Sequence, residues 1–151
     1  MKEQEQFLNG LSTLLDKMQL LDRDTMQSQL NGFKPAEVHT IEFIGKHSHT
    51  NVTQISSAMY VTRGAVSKMT KRLMAKELIE SYQISDNKKE IYFRLTTAGK
   101  RIFNIHESLN HQFEKRDESV FKQTSQADID AVLSFISKYN QHLDVLIKDR
   151  Q

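Results

Sequence analysis

Basic side chains cluster in the stretch VTRGAVSKMTKRL, which runs from Val61 to Leu73. Four Lys or Arg residues alternate there with small and apolar ones, and Lys76 follows within one further helical turn. No residue pair in this stretch places a nucleophile beside a general base, so its side chains do not suit catalysis. Cations in such a pattern are typical of a surface that binds anions.

Placed on a helix of about 100° per residue, the same stretch has two different faces. Val66, Met69 and Leu73 share one stripe, which predicts the side that packs on a core. The opposite face carries Lys68 and Lys71 among small residues. Small residues let a helix approach another surface closely, and lysines at the edges of that approach neutralise phosphates. The stretch therefore predicts a helix that binds nucleic acid.

Charge is unevenly distributed along the rest of the chain. The formal net charge is only +2, but residues 61–94 hold eight Lys or Arg residues against four acidic residues. Residues 1–30 hold three basic and five acidic residues. A basic middle in an otherwise balanced protein predicts one localised anion-binding face.

The composition excludes several classes of protein. Of the 151 residues, 26% are charged and 38% hydrophobic, which suits neither a disordered tail nor a membrane protein. No apolar run approaches the roughly 20 residues of a membrane-spanning helix. The N-terminal MKEQEQFLNGL lacks the hydrophobic core of a secretion signal, and the chain has no cysteine. The sequence therefore predicts a cytoplasmic protein without disulfides, thiolate metal ligands or a thiol redox sensor.

Hydrophobic periodicity predicts helices at both ends of the chain and a β-hairpin after the basic stretch. Apolar residues from Phe7 to Leu21 recur every three or four positions, whereas Ile91, Phe93 and Leu95 alternate as in a strand. The polar SDNKKE, residues 85–90, has the composition of a hairpin tip. Proline or capping-type residues mark the starts of the helices that follow the first one: Pro35, Asn51, Thr62, Thr96 and Ser125.

Two short helices meet at Tyr60 with the spacing of a helix-turn-helix. Ile55 and Met59 of the first helix and Val66 and Met69 of the second are placed to form a small shared core. A plain helical hairpin shares this spacing, but a basic-tipped β-hairpin directly afterwards makes the motif more specific. The usual turn glycine is replaced by Tyr60, which predicts a different turn geometry.

At this point the sequence resembles the MarR family of winged helix-turn-helix regulators. The segments that carry the resemblance are VTQISSAMYVTRGAVSKMTKRLMAKELIE and SDNKKEIYFRLTTAGK. The resemblance implies a mainly α fold with a small β-hairpin wing, formed as one domain over residues 1–151. Within it, residues 34–96 would be the winged helix-turn-helix, and residues 1–30 and 97–151 would be N- and C-terminal dimerisation helices.

The resemblance also implies a DNA-binding site. The helix that begins at Thr62 would enter the major groove, and the hairpin would reach the minor groove. The arginine that the family carries on its wing is replaced by lysine at Asn87-Lys88-Lys89, and lysine binds phosphate more readily than it reads a narrow groove. The residues expected at the interface are Thr53, Thr62, Arg63, Gly64, Ala65, Ser67, Lys68, Thr70, Lys71, Arg72, Asn87, Lys88 and Lys89.

The expected function is a homodimeric regulator, a repressor that binds double-stranded DNA at a pseudo-palindromic operator and is released by a small-molecule ligand. The first and last helices carry more apolar surface than one small middle region covers, which favours dimerisation. The competing interpretation is that these helices pack on each other within one chain.

A metal-responsive regulator of the same fold is the alternative, because some members of the family respond to zinc through histidines on the second and fifth helices. The candidates here are Glu37, His39, His106 and His111, whose types suit Zn²⁺, and Glu107 is a further nearby carboxylate. The five-residue step between His106 and His111 does not place both on one helical face, which favours ordinary hydrogen-bonding histidines.

Two other classes of function fit the sequence less well. An enzyme lacks support, since the chain has no Gly-rich phosphate loop, no HExxH motif and no nucleophile elbow. A winged-helix adaptor that binds another protein would present aromatic or aliphatic anchors on its outward face. The lysines and small residues of that face favour DNA instead.

Overall fold

The computed structural model describes residues 1–150, which form two compact units, one of residues 1–111 and one beginning at Gln112. The boundary between the units falls inside a helix. The order of elements confirms the mainly helical class with one β-hairpin. The elements are α1 Lys2–Gln29, α2 Pro35–Lys46, α3 Val52–Met59, α4 Arg63–Ala75, β1 Ile79–Ile84, β2 Asn87–Leu95, α5 Thr97–Lys122 and α6 Gln126–Lys148.

The hydrophobic core of the first unit lies among α2, α3, α4 and the hairpin. Each of these elements contributes at least one side chain that is at most 9% exposed, so the helix-turn-helix and the wing share one core. Val66 and Leu73 supply the contribution of α4, as the helical periodicity predicts. The full set is Ile41, Ile44, Ile55, Val66, Leu73, Leu78, Ile79, Phe93 and Leu95.

Side-chain caps fix where the helices of this unit begin. Asn51 accepts a hydrogen bond from the Gln54 amide while the Gln54 side chain accepts one from the Asn51 amide, which completes a capping box. The Thr62 hydroxyl accepts from the Ala65 amide at 3.1 Å and starts α4. Each cap satisfies backbone donors that the first turn of a helix leaves unpaired. The predicted starts at Asn51 and Thr62 are therefore confirmed.

The turn between α3 and α4 keeps a left-handed residue although it has no glycine. Tyr60 adopts φ 56° and ψ 40°, so the prediction of a different turn geometry is wrong. Ser56 closes the turn, because its hydroxyl donates to the Val61 carbonyl at 2.6 Å and its carbonyl accepts from the Val61 amide. These two hydrogen bonds hold Tyr60 in a backbone region that is unfavourable for a side chain with a Cβ atom.

Replacing Tyr60 by glycine is expected to stabilise the protein by about 0.5–1 kcal/mol, because glycine adopts this conformation without steric cost. The Tyr60 side chain is 73% exposed, so little packing is lost with it. Urea denaturation of both proteins measures the difference. Tyr60→Ala is the matched control, since alanine removes the ring but keeps the Cβ atom. Equal stabilities of the glycine and alanine variants would contradict the expectation.

The wing is an antiparallel hairpin with a tighter turn than the sequence predicts. Strand β1 ends at Ile84 and β2 begins at Asn87, so only Ser85 and Asp86 form the turn. The rest of SDNKKE therefore lies in β2, and the predicted six-residue tip is wrong. Ile79 pairs with Leu95 across the hairpin, and the register shifts between Tyr82 and Ile84.

A short connection before α3 covers the other edge of β2. The Phe93 amide donates to the Thr50 carbonyl at 2.8 Å, which forms an isolated antiparallel bridge. Thr50 is fully buried, and its hydroxyl donates to the His47 carbonyl at 2.9 Å. Strand β2 is thus paired on both sides at Phe93, and α3 is tied to the wing.

The start of α5 packs against the backbone at the end of α4. The Thr96 hydroxyl donates to the Glu77 carbonyl at 2.7 Å and accepts from the Gly99 amide at 3.1 Å. The Thr96 amide donates to the Leu78 carbonyl at 3.1 Å. Gly99 lies against that same carbonyl oxygen so closely that a Cβ atom would overlap it. The absence of a side chain at Gly99 is therefore required for this packing.

Helices α1 and α6 carry exposed apolar stripes within their respective units. Neither helix contains a buried residue. The stripe on α1 includes Leu11, Leu14 and Leu15, which are between 39% and 55% exposed. Among the residues described, no helix is long and apolar enough to span a membrane. The division of the chain into domains and the pairing of these helices with a second copy stay predictions.

Candidate nucleic-acid interface

Helix α4 presents a basic face to solvent and an apolar face to the core. Val66 and Leu73 are buried and Met69 is half-buried, as predicted for the inner stripe. Gly64 has no atom within 4 Å of the position where a Cβ atom would stand, so the surface around it is open. The exposed residues of this face and its flanks are Arg63, Gly64, Ala65, Lys68, Lys71, Arg72 and Ala75, and Ser67 is half-buried among them.

Six cations on α4 and at the tip of the wing have no acidic partner among the described residues. Within residues 1–150, no carboxylate lies within ion-pair distance of any of them, and Arg72 makes only a 3.6 Å contact with the Met69 sulfur. Their charges are therefore uncompensated by the protein, which is the condition for binding an anionic partner. The six cations are Arg63, Lys68, Lys71, Arg72, Lys88 and Lys89.

Among the hydroxyl groups expected at the interface, Thr70 does not lie on this surface. It is 2% exposed, and its hydroxyl donates to the Val66 and Ser67 carbonyls of its own helix. Its predicted contact with DNA is therefore corrected, because the hydroxyl satisfies its hydrogen bonding inside the helix. Thr53 and Thr62 are exposed, and the Thr62 hydroxyl also caps α4.

The wing brings Asn87, Lys88 and Lys89 to the surface at the start of β2, where all three are exposed. The Gln83 side chain donates to the Lys88 carbonyl at 2.9 Å, and the Asn87 side chain accepts from the Lys89 amide at 3.3 Å. These contacts hold the backbone of the tip and leave both ammonium groups free to bind phosphate.

The wing also carries an arginine, Arg94, but that side chain is engaged. It donates to the Glu80 carboxylate at 2.6 Å and lies 4.8 Å from the centre of the Tyr82 ring. Tyr82 and Tyr92 face each other across the hairpin, and His49 bonds to the Tyr82 hydroxyl at 3.1 Å. Arg94 is thus held on the stem of the wing, and the tip presents only lysines.

A cavity of about 490 Å³ lies beside the helix-turn-helix, between the end of α1 and the start of α2. This volume is within the range of sites that hold small organic molecules. Apolar side chains alternate in its wall with polar ones that could orient a ligand. The wall is formed by Gln19, Asp22, Arg23, Met26, Gln27, Leu30, Phe33, Pro35, Val38, His39 and His106.

The candidate metal ligands are only partly brought together. The ring centres of His39 and His106 lie 6.2 Å apart, but Glu37 is bound to Lys76 at 2.8 Å. His111 is exposed and lies one and a half turns along α5 from His106. Zinc binding by these four residues stays a prediction that nothing in the structure tests.

An acidic cluster surrounds His106, and the sequence pointed to its member Glu107 but not to Glu42. Glu42, His106 and Glu107 offer ligand atoms within 4.8 Å of one another. The Lys46 ammonium bridges the two carboxylates, at 2.7 Å from Glu42 and 3.1 Å from Glu107, and these bonds raise the pKa of Lys46. The place that a metal ion would take between the carboxylates is therefore held by a protein cation.

His106 is the buried member of this cluster. It is 4% exposed, and burial lowers the pKa of its imidazole although the Glu42 carboxylate at 3.8 Å acts in the opposite direction. The Glu107 carboxylate also raises this pKa, and His39 and Lys46 also lower it. The folded protein thus favours the neutral ring, whereas the unfolded chain protonates it near its usual pKa.

Acidification is expected to destabilise the protein through His106. Because the pKa of His106 is lower in the folded state, the unfolded chain binds more protons once the pH falls below about 6.5. The contribution of the neutral imidazole to the free energy of unfolding is complete above that pH. It is lost as the pH falls towards the pKa of His106 in the folded protein. Urea denaturation at a series of pH values should show that the free energy of unfolding decreases less on acidification in His106→Asn than in the wild type. The matched control His142→Asn changes an exposed histidine on α6, and an unchanged slope in His106→Asn would contradict this assignment.

The comparisons with known proteins agree with this architecture. Residues 33–91 match the model of the MarR family. Two proteins of Bacillus subtilis (strain 168) are similar to the chain in sequence. The HTH-type transcriptional regulator PchR is 37% identical over 107 residues, which are 71% of this chain and 63% of PchR. The uncharacterized HTH-type transcriptional regulator YhjH is 34% identical over 117 residues, which are 77% of this chain and 65% of YhjH.

The chain therefore spans slightly less than two thirds of the length of these two relatives. Among solved structures, FabT of Streptococcus pneumoniae in complex with DNA superimposes with a TM-score of 0.79 at 21% sequence identity. The match covers 94% of this chain and 98% of the FabT chain. At that level of identity the likeness shows a shared fold.

Proposed function

We propose that the chain is a transcription regulator of the MarR family that binds double-stranded DNA, and the match of residues 33–91 to the family model supports this proposal. The observation that carries the proposal is the uncompensated basic surface of α4 and the wing. Cations on a helix that follows a helix-turn-helix turn are placed for the major groove, and lysines at the tip of a wing are placed for the adjacent backbone.

The small residues of α4 fit the same proposal. Gly64 and Ala65 lie in the first turn of the helix, beside Arg63, and add little bulk to the exposed face. An N-terminal turn of this kind approaches base edges closely, where Arg63 would bind guanine and Ser67 would bind either base type. Lys68, Lys71 and the two wing lysines would then hold phosphates and fix the register of the protein on the duplex.

The proposed regulator acts as a homodimer on a pseudo-palindromic operator. The apolar stripes of α1 and α6 support this part, because stripes of this size on exposed helices need a covering surface. A second copy of the chain supplies the same stripes through two-fold symmetry. Two α4 helices would then read half-sites about one helical turn apart.

The proposed effector is a small, mostly apolar organic molecule with a polar group, bound in the cavity between α1 and α2. Met26, Leu30, Phe33 and Val38 provide apolar contacts there, and Arg23 provides a cation at the rim. A molecule that prefers the conformation with low operator affinity would release the DNA. The proposed regulator is a repressor in which this release restores transcription from a promoter that the operator overlaps.

Selection of binding sites from random duplex DNA with the purified full chain tests the proposal. A two-fold symmetric consensus is expected, and fluorescence anisotropy at several salt concentrations should show specific affinity that falls steeply with salt. Sedimentation of the complex should give two protein chains for each operator. Failure to enrich any sequence, together with salt-insensitive binding to every duplex, would reject the proposed function.

A further inference from the structure

The C-terminal end of α4 is tied to the start of α2 by a partly buried ion pair. The Lys76 ammonium lies 2.8 Å from the Glu37 carboxylate, and Lys76 is the residue directly after α4. Glu37 is 3% exposed in the first turn of α2, whereas the Lys76 side chain is 42% exposed. A buried carboxylate needs its counter-charge, so the position of Lys76 is strongly constrained.

Lys76 has a second contact, and that contact leads to the cavity. Its ammonium lies 5.2 Å from the centre of the Phe33 ring, within the range of a cation–π interaction. Phe33 is half-buried and is part of the cavity wall, together with Pro35 and Val38, which flank Glu37 in the sequence. One ammonium group thus touches both a cavity residue and the buried carboxylate, and it belongs to the segment that ends α4.

We propose that Lys76 is a positioning residue that couples the cavity to α4, through Phe33 on the cavity side and Glu37 at the start of α2. This inference rests on the proposed function, because it assigns to the cavity an influence on the DNA-binding helix. An occupant that displaces the Phe33 ring removes the cation–π contact and shifts the ammonium relative to Glu37. Since Leu73 and Lys76 lie within one turn, that shift changes how the end of α4 is held.

Coupling of this kind acts in both directions. If an occupant of the cavity changes the free energy of DNA binding, DNA changes the free energy of binding that occupant by the same amount. DNA alone is therefore sufficient as a probe, and the effector does not have to be known. The effect of DNA is measured at Phe33. If Lys76 had only a structural role and no part in coupling, the surroundings of the Phe33 ring would not change when DNA binds.

The chain contains no tryptophan, so Phe33→Trp introduces a single tryptophan into the cavity wall, whose emission is distinguished from that of the tyrosines by its longer wavelength. Tryptophan retains an aromatic face for the Lys76 ammonium. Saturating this variant with operator DNA is expected to shift its emission. The shift should be lost when Lys76→Met is added and retained with Lys76→Arg, which preserves the charge. DNA affinity is measured in parallel by anisotropy of a labelled operator, so that every spectrum is taken at full occupancy.

Two further variants keep the test decisive. Because Lys76→Met leaves Glu37 buried without a counter-charge, the double change of Glu37→Gln with Lys76→Met removes both charges and is expected to fold. It should also lack the emission shift. Phe121→Trp, at an exposed site on α5, controls for direct quenching by DNA. An emission shift that survives the double change, or no shift in Phe33→Trp at full occupancy, overturns the coupling. Loss of operator binding by every variant and by the wild type rejects the proposed function instead.

Discussion

Changing Lys68 and Lys71 together to alanine is expected to lower operator affinity about tenfold or more at physiological salt. Both side chains are exposed on α4 and have no carboxylate partner within residues 1–150. Each lysine that binds a phosphate releases a condensed counterion from the DNA, so its removal also reduces the salt dependence. The slope of log affinity against log salt should become shallower by about one for each phosphate-binding lysine that is replaced.

The control for this experiment removes the same charge elsewhere. Lys115 and Lys138 are exposed lysines on α5 and α6, outside the helix-turn-helix and the wing. Changing both to alanine lowers the net charge equally and is expected to leave the slope close to that of the wild type. If both double variants flatten the slope to the same extent, the general charge of the protein drives binding, and α4 is not the contacting helix.

Gly99→Ala is expected to destabilise the first unit by about 4 kcal/mol or to prevent its folding. The added methyl group would overlap the Leu78 carbonyl oxygen, and two hydrogen bonds from Thr96, to the Glu77 and Leu78 carbonyls, hold the two segments together. Neither side can therefore move away without losing those bonds. For a chain of this length the destabilisation corresponds to a decrease in melting temperature of roughly 10 °C or more.

Gly10→Ala is the matched control for that substitution. Gly10 lies inside α1, and no atom lies within 4 Å of its added Cβ position. Alanine is the better helix former, so this change should be neutral or stabilising by up to about 1 kcal/mol. Calorimetry of both variants gives the comparison. A melting temperature of Gly99→Ala close to that of the wild type would show that α5 tolerates a shift away from Leu78.

Local chemistry was sufficient to predict the starts of the helices. Asn51, Thr62 and Ser125 each cap the helix that the sequence places after them, because capping depends on residues only two or three positions away. The inner stripe of α4 was predicted for the same reason, since helical periodicity is local. The end of that helix was harder to predict from the sequence. The helix ends at Ala75, and Glu77 already has φ 58°, which is outside the helical region.

Two errors arose where a hydrogen bond between residues three to five positions apart decides the conformation or the exposure of a side chain. Tyr60 keeps a left-handed turn because the Ser56 hydroxyl and carbonyl hold Val61, which compensates for the missing glycine. Thr70 has a polar side chain at a position that the packing of α4 buries, and its hydroxyl bonds to its own helix. Neither outcome follows from the type of the residue alone.

The approach of Glu42 and Lys46 to His106 and Glu107 could not be predicted for a further reason. Glu42 and Lys46 lie on α2, whereas His106 and Glu107 lie on α5, so the cluster exists only when the two helices pack. The sequence pointed to His39 and Glu37 on α2, but Glu37 is bound by Lys76. Acidic and basic residues are common on helices, and only the packing selects which of them meet.

The bridge between Thr50 and Phe93 bears on the order in which the first unit folds. The two residues are separated by α3, α4 and β1, whereas the hairpin closes through the two residues Ser85 and Asp86. Short closures lose less chain entropy and form sooner. We therefore expect the hairpin to form before the bridge during folding. The Thr50–Phe93 bridge would then close the unit late, after the elements between these two residues have formed.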